Sequence, residues 1–153
     1  MLGYGREGRA MVEMIEKYAP EAEITIADQN SKLPPAGQTG NIQDSKHWLQ
    51  VGDGWLQNLN KFDVVIASPG IPPKPEFVPI KDTLTNSTQI FLDTVKEEGA
   101  LVVGITGSKG KSTTSSLVAH VLKSTGYNAH LVGNIGEPSI AHIDTILDSK
   151  SNL

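Results

Sequence analysis

Gly104-Ile105-Thr106-Gly107-Ser108-Lys109-Gly110-Lys111-Ser112-Thr113 is the stretch on which the reading of this chain turns. A glycine-rich turn that runs into a helix presents a concave set of backbone N–H groups, which suits phosphate oxygens. Lys111 is placed to reach the outer phosphates of a nucleoside triphosphate, and the Ser112 hydroxyl to ligate Mg²⁺. The usual spacing puts its first glycine at the position held by Ile105, and Gly104 stands one residue earlier, so the standard pattern is missed by one position.

Working outward, Ala100-Leu101-Val102-Val103 reads as a buried strand feeding the loop. Leu117, Val118, Val121 and Leu122 give the following helix an apolar stripe that Gly126 closes. Tyr127 to Val132 reads as another strand, and Pro138 suits the first turn of a last helix. Upstream, Ile90, Phe91, Leu92 and Val95 predict a helix ending at Gly99. The polar run Thr83 to Thr88 separates this part from an earlier one, with the boundary placed near Asn86.

The earlier part begins on Gly3-Tyr4-Gly5-Arg6-Glu7-Gly8, a G-x-G-x-x-G turn with almost no strand before it. Ala10, Met11, Met14, Ile15 and Tyr18 then recur at helical spacing until Pro20. Glu23 to Ala27 reads as a strand ending at Asp28, and Asp63 to Ala67 as a strand buried on both faces. Gln29 to Gly54 reads mostly as loop, with a short helix over His47 to Val51 and with Trp48 and Trp55 packing a small satellite core. Pro69, Pro72, Pro73, Pro75 and Pro79 predict extended, non-helical chain. Strands alternating with helices imply an α/β fold: a Rossmann-like parallel-sheet domain over residues 1–86, then the start of a P-loop ATPase-type α/β domain over 87–153.

Composition narrows the function classes. The chain has 153 residues, 38% hydrophobic and 20% charged, with no cysteine, which excludes disulfides and thiolate metal sites. A formal charge of −4 leaves no basic footprint for nucleic acid. No apolar run approaches the roughly 20 residues that span a bilayer, and no signal peptide opens the chain. A cytoplasmic location fits these features. Met1-Leu2 before the glycine turn, and an end at Ser149 to Leu153, read as a piece of a longer protein.

Three further motifs carry chemistry. Asp28 follows the glycine turn at the distance where a carboxylate accepts from a ribose or base. Ser68-Pro69-Gly70-Ile71 falls at a strand's carboxyl end, where ligands of open parallel sheets sit. Gly133-Asn134-Ile135-Gly136 places an amide where it either fills a left-handed turn or meets a polar ligand. His47, His120, His130 and His142 show no metal-ligand spacing and read as structural or surface groups.

In this order the motifs resemble the Mur ligases. The phosphate loop places the chain in the wider superfamily, and the pairing of Ser68–Ile71 with Gly133–Gly136 points to the D-glutamate-adding branch. The resemblance covers the first domain and the start of the second. It implies that Gly5, Arg6, Glu7, Asp28, Gln29, Ser68, Pro69 and Gly70 line a site for UDP-N-acetylmuramoyl-L-alanine, with Asn134 facing the muramoyl part. It implies that Gly107, Ser108, Lys109, Gly110, Lys111, Ser112 and Thr113 hold ATP, with Lys111 and Ser112 catalytic and Ser112 on Mg²⁺. The implied enzyme is a monomer when full-length, and its reaction passes through an acyl phosphate that the amine of D-glutamate displaces. Lys109 stands where the family often has Asn, and Arg6 and Glu7 stand where small or apolar residues are common. The acidic Mg²⁺ ligand, the central-domain lysine and the D-glutamate-binding domain all lie beyond this sequence, so the chain is not expected to turn over alone. Three alternatives remain: a non-catalytic nucleotide-binding module, a nicotinamide-dependent oxidoreductase, and a folate-polyglutamate ligase.

Overall fold

The computed structural model describes residues 1–32, 47–133 and 138–148. It divides into two units, Met1–Ile90 and Phe91–Leu153, with the boundary inside a helix just past Asn86.

In the first unit, β1 (Thr25–Asp28) pairs in parallel with β2 (Trp48–Val51), and β3 (Val65–Ala67) with β4 (Leu84–Asn86). Leu2 joins the pairs by single parallel bridges to Ala27 and Ala67. The N–H of Leu2 donates to Ile66 O at 2.8 Å, and Ser68 N–H donates to Leu2 O at 2.9 Å. On the other edge Gly3 N–H donates to Ala27 O, and Ala27 N–H to Met1 O, both at 2.8 Å. The spatial order is therefore β2–β1–Leu2–β3–β4. Counting Leu2 as the first strand, this is third, second, first, fourth, fifth in chain order, the arrangement of a Rossmann sheet. The strand that the sequence nearly lacks is supplied by Met1 to Gly3, with Leu2 bonded to the β3 side, Met1 and Gly3 bonded to β1, and Leu2 only 2% exposed.

Side chains alternate between the two faces of this sheet. Ile24 and Ile26 pack with Tyr4 and Val12 on one face, and Leu2, Ala27 and Val65 with Leu59, Phe77 and Ile80 on the other. Each such large aliphatic group contributes about 1.5–3 kcal/mol on leaving water. The helix α1 (Arg6–Tyr18) buries Gly8, Met11 and Val12, so its inner stripe is set by Val12 rather than by Met14 and Tyr18. Tyr18 is exposed, with the Lys17 ammonium 5.0 Å from its ring centroid.

Several sequence-based expectations are corrected here. The helix expected over His47 to Val51 is β2, because β1 offers a backbone partner that outweighs the weak local preference. Trp48 projects from that strand and is 71% exposed, so only Trp55 packs against the core. The strand expected from Asp63 begins at Val65, and Val64 is exposed. Within the proline-rich segment, Pro75–Ile80 forms a 3₁₀ helix that buries Phe77 and Ile80. Pro75 is tolerated there because the first turn needs no donor from it.

The helix α2 (Ser87–Glu97) begins in the first unit and carries buried Phe91 and Val95 in the second, where α3 is Lys111–Ser124 and α4 is Ile143–Asp148. Ile140, Ile143 and Ile146 are buried. Neither Ala100 to Val103 nor Tyr127 to Val132 forms a strand, and Leu101 is 91% exposed. A parallel strand needs a partner, and none is supplied among the described residues of this unit. The apolar stripe of α3 is consequently uncovered: Leu117 and Val121 are exposed, and no residue of the helix is buried.

Candidate functional site

The strands of the first unit all point the same way, so Gly3, Asp28, Ser68 and Ser87 follow their carboxyl ends on one rim. The reversal of strand order lies between Leu2 and β3, where open parallel sheets form a ligand crevice. The glycine turn sits on one side of this crevice and Ser68–Ile71 on the other.

Packing holds the turn in place. A Cβ at Gly8 would lie 2.1 Å from the Gly3 carbonyl oxygen, so only glycine lets α1 approach the first strand this closely. The Ser68 hydroxyl donates to Gly3 O at 2.9 Å and ties the two sides of the crevice together. Asp28 accepts from Tyr4 N–H at 2.8 Å through Oδ2 and from Asn30 N–H at 2.8 Å through Oδ1. Its carboxylate is thus already engaged in shaping the rim, with the second lone pair of each oxygen left for a ligand. Ile71 N–H donates to Ser68 O at 3.0 Å, closing the turn through Pro69 and Gly70.

The expected site residues of this unit therefore share one edge. Gly5, Arg6, Gln29, Pro69 and Gly70 are exposed on it, while Glu7, Asp28 and Ser68 are half-buried. Behind the turn, burial pushes the Tyr4 phenol above its ordinary 10.0, against the opposing charge of Arg9. The Arg9 guanidinium carbon lies 5.6 Å from the Tyr4 ring centroid.

Sequence reasoning passed over Ser87. It is 1% exposed, and its hydroxyl donates to Glu7 Oε2 at 2.9 Å. A serine immediately after a strand and at the start of a helix was the available signal, hidden within a polar run.

In the second unit the glycine-rich stretch from Gly104 has no regular structure until α3 begins at Lys111. Gly110 caps the helix at φ +78°, a left-handed angle that glycine adopts without strain. The Lys111 ammonium folds back to donate to Gly107 O, and Ser112 and Thr113 lie in the first turn. Ser108, Lys109, Lys111, Ser112 and Thr113 are all exposed. This donor set fits a polyphosphate: an open glycine turn, free space at the Gly110 α-carbon, an adjoining helix N-terminus and an ammonium laid over the loop. For Mg²⁺ it offers one hydroxyl, Ser112. No group of three His, Asp or Glu able to hold a metal occurs among the described residues. His47 Nε2 lies 3.1 Å from Glu16 Oε1, a structural pairing. Asn134 lies outside the described residues.

The crevice at the strand-order reversal, flanked by a G-x-G-x-x-G turn, is the geometry of a Rossmann-like domain in an α/β protein. Comparison with curated proteins narrows this class. The chain is 35% identical over 143 residues to the UDP-N-acetylmuramoyl-L-alanine–L-glutamate ligase of Xanthomonas axonopodis pv. citri, covering 89% of this chain and 30% of that protein. It is 37% identical over 142 residues to the same-named ligase of Salinispora tropica, covering 90% and 31%. It is 31% identical over 145 residues to the UDP-N-acetylmuramoylalanine–D-glutamate ligase of Clostridium botulinum, covering 94% and 31%. No family model matches. The chain is thus similar in sequence to these glutamate-adding ligases and spans about 30% of their length.

Proposed function

We propose that this chain is the substrate-nucleotide and ATP-loop portion of an ATP-dependent ligase that joins glutamate to UDP-N-acetylmuramoyl-L-alanine during peptidoglycan precursor synthesis in the cytoplasm. One observation carries the reading: the glycine turn, Asp28 and Ser68 are hydrogen-bonded into one rim at the strand-order reversal, in a chain related to ligases named for that reaction. On this reading residues 1–86 form the UDP-binding domain and 87–153 the start of the ATP-binding one.

On this reading the residues take the following roles. Gly5, Arg6, Glu7, Asp28, Gln29, Ser68, Pro69 and Gly70 receive the UDP group, with Asp28 accepting from ribose or base through its remaining lone pairs. Asn134 meets the muramoyl part. Gly107 to Thr113 hold the triphosphate through backbone N–H groups, and Lys111 exchanges its contact with Gly107 O for phosphate oxygens. Ser112 offers one oxygen to Mg²⁺. Bound ATP supplies the phosphoryl group that activates the substrate carboxylate for attack by the glutamate amine. D-Glutamate is the enantiomer favoured by the pairing of Ser68–Ile71 with Gly133–Gly136. A second reading, addition of L-glutamate, is favoured by the relatives at 35% and 37% identity, which carry that name.

Calorimetric titration of the chain with UDP-N-acetylmuramoyl-L-alanine, Mg-ATP and NADH tests the proposal. The first two should bind independently, and Lys111→Ala should abolish Mg-ATP binding alone. Binding of NADH without the UDP-sugar would overturn the reading in favour of an oxidoreductase.

A further inference from the structure

The strand ends set an order along the rim. Asp28 ends β1, the glycine turn and the amino end of α1 follow the first strand, and Ser87 follows β4 on the far side of β3. Charge changes sign along that line. Arg9 lies on the Asp28 side of α1, its guanidinium carbon 5.6 Å from the ring centroid of Tyr4, whose N–H donates to Asp28. Arg6 opens the helix and is exposed. Glu7 is engaged on the opposite side: its Oε2 accepts from the Ser87 hydroxyl at 2.9 Å, a contact that reaches across the carboxyl end of β3. Ser87 is 1% exposed, so the carboxylate is held from a buried position.

The middle of this rim suits a diphosphate. Two guanidiniums, Arg6 and Arg9, stand against one carboxylate in the first turns of α1, and the helix's own N–H groups add positive potential. The helix dipole disfavours cations at this end, a cost that a bound anion offsets. A ligand with its diphosphate there and its nucleoside on Asp28 carries its remaining part over β3 and β4, because ligands of this fold lie across the strand-order reversal. Glu7 is on that side. Ser87 takes one acceptor position of a group that has about four, and a carboxylate receives hydroxyl or N–H donors rather than a second anion. We propose that Glu7, positioned by Ser87, is a specificity-determining residue that accepts from a hydroxyl or amide N–H of the hexose joined to the diphosphate. The inference deepens the proposed UDP-sugar site and rests on it: Asp28 takes the ribose side, Arg6 and Arg9 the diphosphate, and Glu7 the hexose side. Ser87 is a positioning residue, acting through Glu7.

Calorimetry compares UDP with UDP-N-acetylmuramoyl-L-alanine, each titrated into the 153-residue chain and into its Glu7→Gln, Ser87→Ala and Arg9→Met variants. The unchanged chain should hold the sugar nucleotide more tightly than UDP. Glutamine keeps an acceptor for Ser87 and removes the charged one. Glu7→Gln should therefore weaken the sugar nucleotide about tenfold, the size of one hydrogen bond to a charged group, and hold UDP at least as tightly as before. Ser87→Ala leaves the carboxylate in place but unfastened, and should weaken the sugar nucleotide about threefold with UDP unchanged. Arg9→Met should weaken both ligands by the same factor, since both carry the diphosphate. Equal shifts of UDP and the sugar nucleotide in Glu7→Gln, the result of a merely structural tie between α1 and α2, would overturn the inference while leaving the nucleotide site standing. An Arg9→Met effect on the sugar nucleotide alone would overturn this division of the rim. Binding of neither ligand to any of the four proteins would overturn the site and the inference together.

Discussion

Gly8 shows how much one missing carbon can decide. Its Cβ would have to sit 2.1 Å from the Gly3 carbonyl oxygen, a backbone atom that cannot swing aside. Gly5, three residues earlier, has nothing within 4 Å of the corresponding point. The two glycines of one motif therefore have different reasons for being there. Gly8→Ala should force α1 away from the first strand and cost about 1–3 kcal/mol, as overpacking does. Gly5→Ala should cost no more than about 0.5 kcal/mol, the usual bound for an exposed site. Urea unfolding followed by tryptophan fluorescence compares them, and equal losses would show that close approach at Gly8 is not the constraint.

Among the elements, β1 ends on a carboxylate that the sequence marks as a ligand group and the structure also uses as a fastener. Asp28 ties the turn opening α1 to the end of β1 through Tyr4 N–H, and it caps the following loop through Asn30 N–H. Asp28→Ala should therefore lose about 1–3 kcal/mol, the cost of leaving a part-buried donor unmet, as well as weakening UDP-sugar binding. Asp28→Asn keeps one acceptor oxygen and should retain most of the stability while still binding the ligand less well. Chemical denaturation beside calorimetry separates the two effects; a fully stable Asp28→Ala chain would mean the fastening is dispensable. The turn, Asp28 and Ser68 were legible in the sequence because each depends on residues close by in the chain and on strand ends. The β2 strand was not, since Trp48–Val51 becomes a strand only through β1, and no local pattern announces that partner. In the stretch from Gly104 to Thr113, the glycine turn and the helix start were legible. Its leading strand was inferred from apolar content alone, and Leu101 to Val103 carry that content without a strand to pair with among the described residues.

For the whole molecule, stability is set unevenly, and two measurements expose it. The Met1 α-amine donates to Thr25 O at 2.7 Å within the sheet, and burial pulls its pKa from 8.0 to about 6. Below pH 6 both folded and unfolded chains carry the proton, and the fold bears the full cost of a desolvated charge. Between pH 6 and 8 the unfolded chain still binds a proton that the folded one has released. Stability should therefore rise with pH across that window, by about 2–3 kcal/mol in total. A chain lengthened by two residues at its amino end moves the charge outward and should lose this rise. The second measurement is amide hydrogen exchange. Protection follows buried, hydrogen-bonded backbone, so the amides of Leu2, Ala27 and Val65 should exchange at the rate of global opening. Residues 101–107 and 127–132 lack strand pairing and carry exposed Leu101, Val102, Val103 and Tyr127, so they should exchange within seconds. The core amides of α3 should fall between these limits, since its hydrogen bonds are helical but none of its side chains is buried. Slow exchange over 101–103 would mean that this stretch is paired in solution, and would restore the strand that its sequence predicts in front of Gly104.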